Sequence, residues 1–388
     1  MAKRVAIVGV GMQKFARRRE DTVEEMIFEV AKNALDDAGL PPEAIDAVVF
    51  GSAVDAFCGI HNSDKLAIGS SGGLLKPTMR NSTSGSTAIS TPILGYNHIA
   101  SGLFNIVMVI CFEKMSENYS PQAVFNTVYD EIYVKPTGIN VPIQCGLEAR
   151  RYLYRYGLTE TQMAKVSVVN HGNAVSNPYA QLPMKLTIGD VLNSPYISWP
   201  VKVLDTSPTT DGARAMIFAS EDVVHEISDA PIWVKGTGRG GDSCYFMGRK
   251  NSDLARLDYA YLAAKQAYDM AGIKDPSQEI DYAEVYDPFT YKQMQHCEAL
   301  GLCEEGGAGR MVDEGINRKD GKLPVNASGG LLGEGNPIGS GFSRLCWAYL
   351  QVRGDAGDCQ VPKDVNTAVA NGWGGMYQYN AVMVIGRD

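Results

Sequence analysis

A glycine-rich stretch near the C-terminus carries the residues best placed to bind a ligand. It spans residues 325–341 and reads VNASGGLLGEGNPIGSG. Glycine permits positive φ and close approach of the backbone to a ligand. Apolar residues resume at helical spacing from Phe342 to Leu350, so the stretch opens a helix and is not a flexible linker. Its free backbone N–H groups, with the side-chain amide of Asn336, could donate hydrogen bonds to a carbonyl oxygen or an anion.

Two similar segments predict the elements that position this stretch. Residues 5–11 are an apolar run typical of a buried strand, residues 23–40 have apolar positions at helical spacing up to Gly39, and residues 47–50 predict a second strand. The order of helix, glycine, proline, Ile-Asp and strand that follows residue 31 recurs after residue 264. This repeat indicates a duplication, and it predicts two α/β halves with mixed or parallel sheets and helices outside and between them.

The segment between the halves, roughly residues 113–199, has a different character. It is rich in Tyr, Asn and Pro, has few strand signals and includes a short helical stretch at residues 147–156. Long irregular insertions in compact proteins are usually functional. We therefore expect this segment to cover the site, and we expect the first half to close with a strand near residues 215–219.

Composition excludes several classes of function. The net charge of −9 argues against nonspecific nucleic-acid binding, and no apolar run reaches the length of a membrane span. The N-terminus has no signal-peptide pattern, so we expect a cytoplasmic protein. The eight cysteines contain no C-x-x-C pair, so no zinc site is expected in this chain, and most of them are expected to be buried and reduced.

Motifs along the whole chain resemble the thiolase superfamily, especially its sterol-carrier-protein-x-type and archaeal branch. In chain order these are VGVGMQKF at 8–15, GSTA at 85–88, FEKM at 112–115, TDGA at 210–213, VYDPF at 285–289 and the glycine stretch. The resemblance implies two βαβαβ-type halves in a five-layered αβαβα core, a loop domain over a coenzyme A channel, and at least a homodimer. It divides the chain into an N-terminal half (1–113, completed by 200–228), a loop domain (114–199) and a C-terminal half (229–388).

The resemblance also implies that the usual catalytic machinery is altered. The family's nucleophilic cysteine falls on Ser82, and its Gly-His-Pro histidine falls on Asn336. A motif that holds histidine or asparagine in relatives has Tyr286, and the second cysteine is missing from the stretch NGWGG at 371–375. A serine hydroxyl is harder to ionise than a thiol and needs an adjacent base, so the pocket is expected to be retained while its chemistry has changed.

Four residues are therefore candidates for catalysis: Ser82, Tyr286, Asn336 and Tyr377. The Asn336 amide could donate to a thioester oxygen but could not relay a proton. The Tyr286 phenol could stabilise an oxyanion, or serve as an acid or base if its pKa were lowered; the alternative is a buried tyrosine with a satisfied hydroxyl. Tyr377 could reach the pocket or only pack, and Ser82 could be a nucleophile or a hydrogen-bond donor.

Coenzyme A contacts are expected by resemblance at Ser207, Ser328 and Gly329. The 3′-phosphate is expected to meet a basic residue of the insertion, with Arg150, Arg151 and Lys165 as the candidates. No metal is expected in this chain. By resemblance to cysteine-poor members of the branch, we expect a zinc-ribbon/OB-fold partner protein that carries the metal.

The functional prediction is a thiolase-like subunit that acts on acyl-CoA thioesters and makes or breaks a carbon–carbon bond. Acyl transfer on an unusual, bulky 3-oxoacyl-CoA is placed first because the glycine frame and insertion are retained. The first alternative is retro-aldol cleavage of a 3-hydroxyacyl-CoA, which needs proton abstraction and oxyanion stabilisation but no acyl-enzyme. The second is a noncatalytic subunit that only binds acyl-CoA.

Overall fold

A computed structural model describes residues 2–245, 253–336, 338–376 and 378–388 of the chain. Within these ranges nine strands form one mixed sheet: β1 (Val5–Met12), β2 (Ala47–Gly51), β3 (Thr78–Asn81), β4 (Ile106–Lys114), β7 (Asp211–Ser220), β8 (Ile232–Gly241), β9 (Tyr282–Glu284), β10 (Thr367–Gly374) and β11 (Tyr379–Gly386). A separate two-stranded ribbon consists of β5 (Tyr196–Ser198) and β6 (Val201–Lys202).

The strand order of the large sheet confirms the duplication. The order is β3-β2-β4-β7-β1-β8-β11-β10-β9, so the second half repeats the first around the β1–β8 junction. In the first half, β7 pairs antiparallel with both β1 and β4. In the second half, β11 pairs antiparallel with both β8 and β10 in the same way. The third strand of the second half is reduced to a parallel bridge between Ala283 and Val325. Within the described sheet, the two halves are joined where β1 pairs with β8, through the residue pairs Ala6–Trp233 and Ile7–Ile232.

The repeated Ile-Asp motif has the same structural role in both halves. Asp46 accepts hydrogen bonds from the backbone N–H groups of Asn105 and Ile106, where β4 begins. Asp281 accepts from the N–H groups of residues 366 and 367, where β10 begins. Each aspartate therefore satisfies backbone donors at the start of a neighbouring strand, which explains why the motif occurs twice.

The helices of the described ranges are α1 (Val23–Ala38), α2 (Thr87–Ala100), α3 (Pro121–Phe125), α4 (Val141–Tyr156), α5 (Glu160–Ala174), α6 (Ile188–Leu192), α7 (Val224–Ile227), α8 (Asp258–Ala271), α9 (Pro276–Glu279), α10 (Thr290–Ala299), α11 (Ala308–Asp313), α12 (Gly330–Glu334) and α13 (Ile338–Arg353). Helices α1 and α8 end at Gly39 and Gly272, both left-handed, as the repeat predicts. None of the helices in these ranges is long and apolar enough to cross a membrane.

Five layers result from the packing of these helices on the sheet. Helix α1 packs on β1 and β7, while α8 packs on β8 and β11. Helices α2 and α13 touch each other and contact strands of both halves, so they form the central layer. The predicted αβαβα order is confirmed. A buried apolar cluster fills the space around the central helices, including Ile89, Ile93, Phe342, Leu345 and Trp347.

Candidate active site

A cavity of about 450 Å³ lies where the two central helices begin. The turn Ser84–Gly85, which precedes α2, lines it on one side, and Asn336, which precedes α13, lines it on another. The insertion supplies a further wall, as expected, with residues of 122–142 and Ile197. Helix N-termini carry partial positive charge, so this arrangement favours negative charge developing in the cavity.

Tyr286 follows β9 and is held in the cavity wall by its backbone. Its N–H donates to Asn371 Oδ1 at 2.8 Å, and its carbonyl oxygen accepts from His296 Nδ1 at 2.7 Å. Burial, with the nearby Lys292 ammonium, lowers the pKa of His296 to about 3, so the imidazole is neutral and its proton lies on Nδ1. These two contacts fix where the phenol points. The sequence analysis missed the roles of both Asn371 and His296.

A hydrogen bond in the cavity joins two of the predicted site residues. The Tyr286 hydroxyl donates to Asn336 Oδ1 at 2.9 Å. The Asn336 backbone is fixed in turn, because its N–H donates to the Pro208 carbonyl oxygen at 2.9 Å. The side-chain amide nitrogen of Asn336 has no hydrogen bond to any residue in the described ranges, and it can donate to a ligand oxygen.

Electrostatics make Tyr286 a donor. Burial raises the pKa of its phenol, and the carboxyl groups of Asp287 and Glu113 raise it further. Tyr286 therefore stays protonated at neutral pH, and its hydroxyl can stabilise an oxyanion or deliver a proton. The lowered pKa that a tyrosine base would need is not found.

A buried charge network holds the loop that carries Asn336. The Arg344 guanidinium contacts the carboxylates of Glu284 and Glu334, and all three side chains are inaccessible to solvent. Burial by itself would lower the pKa of Arg344, but the two carboxylates raise it overall. Glu334 also accepts from Trp347 Nε1 at 2.7 Å and Asn177 Nδ2 at 2.8 Å. Because Glu334 lies two residues before Asn336, this network fixes the position of the amide.

The structure brings Ser84 to the cavity in place of Ser82. Ser82 is exposed, lies outside the described lining, and donates to the Ala53 carbonyl oxygen at 2.5 Å. Helix α2 begins only at Thr87, so Ser82 is not at a helix N-terminus as expected. Ser84 has a φ of 52°, and this left-handed turn directs the chain so that Ser84 and Gly85 line the cavity.

The other predicted site residues separate into three groups. Ser207 lines the cavity, with its hydroxyl 3.2 Å from the Pro288 carbonyl oxygen. Ser328 and Gly329 are buried outside the lining: Ser328 accepts from Arg344 at 2.8 Å, and a side chain at Gly329 would collide with Ala174 of α5. Tyr377 lies outside the described residues.

Two of the three basic candidates for the coenzyme A phosphates are already paired. Arg151 Nε lies 3.0 Å from Asp253, and Lys165 Nζ lies 2.5 Å from Asp313. Arg150 instead stacks its guanidinium over the rings of Trp199 and Tyr154, at 5.0 and 5.8 Å from their centroids.

Cysteine, histidine, lysine and carboxylate side chains do not line the described cavity, where Tyr286 is the sole titratable group. Cys58 lies behind the wall, and burial, together with Glu113, raises the pKa of its thiol to about 12, which makes it a poor nucleophile. The described ranges also show no group of three or more His, Cys, Asp or Glu side chains able to hold a metal ion.

The duplicated five-layered fold and the cavity at the start of its two central helices define a thiolase-fold protein. Two family matches agree: "Thiolase, N-terminal domain" matches residues 5–189, and "Thiolase C-terminal domain-like" matches residues 245–387. An "Acetyl-CoA acetyltransferase" of Methanothermobacter thermautotrophicus is 34% identical over 92% of this chain and 93% of that protein. The chain belongs to the thiolase family.

Two similar proteins are named as aldolases. A "Steroid side-chain-cleaving aldolase" of Thermomonospora curvata is 29% identical over 95% of each chain. The solved structure titled "Ltp2-ChsH2(DUF35) aldolase" superposes with a TM-score of 0.85 and 25% identity, covering 99% of this chain and 98% of that one. "Sterol carrier protein 2" of Bos taurus is 31% identical over 93% of this chain and 68% of that protein. These matches confirm the predicted branch of the family.

Proposed function

We propose that this chain binds an acyl-CoA thioester in the cavity and makes or breaks the carbon–carbon bond next to the thioester carbonyl. The observation that carries the proposal is the Tyr286–Asn336 pair at the N-terminal ends of α2 and α13. The Tyr286 hydroxyl, the Asn336 amide nitrogen and the two helix ends can all stabilise negative charge on a thioester oxygen. That charge develops whether the bond is formed or broken.

Retro-aldol cleavage of a 3-hydroxyacyl-CoA is the version that the geometry supports better. In that reaction the C3 hydroxyl passes its proton to solvent, because the described lining carries no imidazole or carboxylate, and becomes a carbonyl. The electrons of the C2–C3 bond pass to the thioester as an enolate. The enolate is then protonated at C2, which releases a shorter acyl-CoA and an aldehyde or ketone. A protonated Tyr286 suits the last step, and no covalent acyl-enzyme is needed. Two similar proteins named as aldolases support this version.

Acyl transfer to coenzyme A is the second version, supported by the similar acetyl-CoA acetyltransferases. It requires a nucleophile, and the described lining offers no thiol but six hydroxyl groups, those of Ser84, Thr127, Thr206, Ser207, Thr209 and Tyr286. Both versions must remove a proton from a hydroxyl group, and the described lining provides neither an imidazole nor a carboxylate, but acyl transfer also needs one of these weak hydroxyl groups to act as the nucleophile. Ser82 and Tyr377 remain proposed participants, as do Ser207, Ser328 and Gly329 for coenzyme A.

We further propose that the chain works in the cytoplasm as a homodimer bound to a zinc-ribbon/OB-fold protein. Strand β3 is the outer strand of the first half, and Leu74, Leu75 and Met79 near it are 66%, 99% and 45% exposed. An open sheet edge beside exposed apolar side chains suits pairing with a second copy. The structure titled as an aldolase with a DUF35 component supports the partner. The boundaries 113/114, 199/200 and 228/229 stay our proposed division of the chain.

The test is a cleavage assay with and without free coenzyme A, run on the chain purified alone and with its partner. The substrates are two series, 3-hydroxyacyl-CoA and 3-oxoacyl-CoA compounds, each running from compact to bulky acyl groups. Release of an aldehyde or ketone without added coenzyme A supports retro-aldol cleavage, and cleavage of the 3-oxo compounds that depends on coenzyme A supports acyl transfer. Binding without turnover of either series would refute the enzymatic proposal and favour the noncatalytic alternative.

A further inference from the structure

Trp373 is one of the residues that line the cavity together with Tyr286. This residue lies on β10, is 5% exposed, and is the largest side chain in the described lining. Its carbonyl oxygen lies 2.3 Å from where a Cβ on Gly85 would be, and the Tyr286 hydroxyl lies 2.7 Å from the same point. The Trp373 backbone and the Tyr286 phenol therefore flank the same glycine, and Trp373 belongs to the same buried apolar cluster as Tyr286, Phe289 and Met376, all of which line the cavity.

The indole is held from behind by two buried side chains. Trp373 Nε1 donates to the Tyr259 hydroxyl at 2.8 Å, and Lys292 Nζ lies 4.8 Å from the ring centroid. Lys292 is itself fully buried, and its ammonium lies 2.5 Å from Glu148 of α4 and 2.9 Å from Gln295. A desolvated cation over an indole face is among the stronger cation–π contacts. The ring is therefore fixed and cannot swing aside to admit a larger ligand.

Most of the other side chains of the lining are apolar, although Gln122, Thr127 and the hydroxyl groups named above can form hydrogen bonds. Phe57 and Phe125 stack edge to face at 5.1 Å, and Phe289 and Met376 complete this side. In such a pocket the shape of the wall decides which acyl groups fit, because apolar contacts carry little other information.

We infer that Trp373 determines specificity because its side chain limits the size of the acyl group, and that Tyr259 and Lys292 act as positioning residues that keep its ring in place. The inference rests on the proposed acyl-CoA function of the same cavity. The ligand class that it assigns is a compact apolar acyl chain or ring attached to coenzyme A. Acyl groups that need the volume of the indole should be excluded.

The experiment measures binding, so it does not depend on which reaction is catalysed. Acetyl-, octanoyl- and phenylacetyl-CoA, together with a four-ring steroid acyl-CoA, are titrated into the protein with its partner, comparing wild type, Trp373→Ala, Tyr259→Phe and Trp233→Phe. Trp233 is a buried indole outside the cavity lining and serves as the control. We expect Trp373→Ala to bind the largest ligand, which wild type excludes, more tightly than wild type does. The gain in affinity, measured relative to acetyl-CoA, should be about tenfold or more.

Tyr259→Phe should lower the discrimination between large and small ligands severalfold and leave the affinity for the best ligand within about threefold, whereas Trp233→Phe should change neither. If wild type binds the panel and Trp373→Ala leaves the size ranking unchanged, the inference fails while the proposed function stands. If wild type binds none of the four compounds, the proposed function is refuted, and the inference that rests on it is refuted with it. A folded Tyr259→Phe variant, checked by its thermal midpoint, keeps the test valid even if Trp373→Ala does not fold.

Discussion

Replacing Tyr286 with phenylalanine removes one hydroxyl from the centre of the cavity and keeps the ring that packs there. The backbone contacts to Asn371 and His296 do not involve the side chain, so the residue should keep its place. Asn336 Oδ1 loses its partner, and because this hydrogen bond is only partly buried, the free energy of unfolding should fall by ~0.5–1.5 kcal/mol. Loss of one preorganised donor to an oxyanion lowers kcat by about 10²–10³.

The assay is steady-state and single-turnover cleavage of the best acyl-CoA substrate by the purified complex, with kcat and KM determined separately. Tyr268→Phe is the matched control, because that buried hydroxyl donates to the Leu300 carbonyl oxygen and lies outside the cavity lining. We expect Tyr286→Phe to lose kcat with little change in KM, and the control to lose stability alone. A Tyr286→Phe kcat within about threefold of wild type would refute a role in stabilising the transition state.

Three further predictions concern the surroundings of the site. Gly85→Ala should abolish turnover without preventing acyl-CoA binding to the folded protein, because the added methyl would lie 2.3 Å from a backbone carbonyl oxygen; full activity would contradict that close packing. Arg344→Met should cost ~3–5 kcal/mol in urea unfolding, since it leaves Glu284 buried without its cation and Glu334 with only the Arg214 guanidinium, 3.8 Å away, and a loss below about 1 kcal/mol would contradict this reasoning. Burial raises the pKa of Glu113 from 4.5 to about 8, so between these pH values the folded chain holds a proton that the unfolded chain releases. The stability that this proton contributes is therefore lost as pH rises from about 4.5 through about 8. Glu113→Gln should flatten that decline in thermal midpoints measured across the same pH range, and parallel curves would refute the assignment.

The duplicated architecture was predictable because it depends on local signals. Apolar spacing at residues 23–40 and a glycine stop produced α1 within two residues of the prediction, and the same pattern marked α8. The Ile-Asp pairs were recognised as part of a repeat, although their role at Asp46 and Asp281 became visible only when the ends of neighbouring strands were placed beside them. Residues of the insertion also line the cavity, whereas its boundaries and its role over a coenzyme A site stay predictions.

The candidate site was only partly predictable. Tyr286 and Asn336 were singled out, yet the sequence separates them by 50 residues and does not indicate that one donates to the other. Ser82 was preferred over Ser84 because the resemblance aligned it with a nucleophile, whereas a single left-handed residue redirects the turn and brings Ser84 to the cavity. Choosing among the basic residues of the insertion was likewise impossible, since Arg151 and Lys165 have acidic partners far along the chain.

By itself the sequence determined the repeated α/β halves, the family, and the loss of the usual cysteine and histidine from their motif positions. These follow from residue identities and from spacings of a few residues, which local conformation and composition control. The tertiary structure alone decided which hydroxyl groups line the cavity, that Tyr286 stays protonated, and that Trp373 is fixed beside it. All three features depend on burial and on contacts with distant segments of the chain. Such burial and contacts arise only when the two halves pack around the central helices.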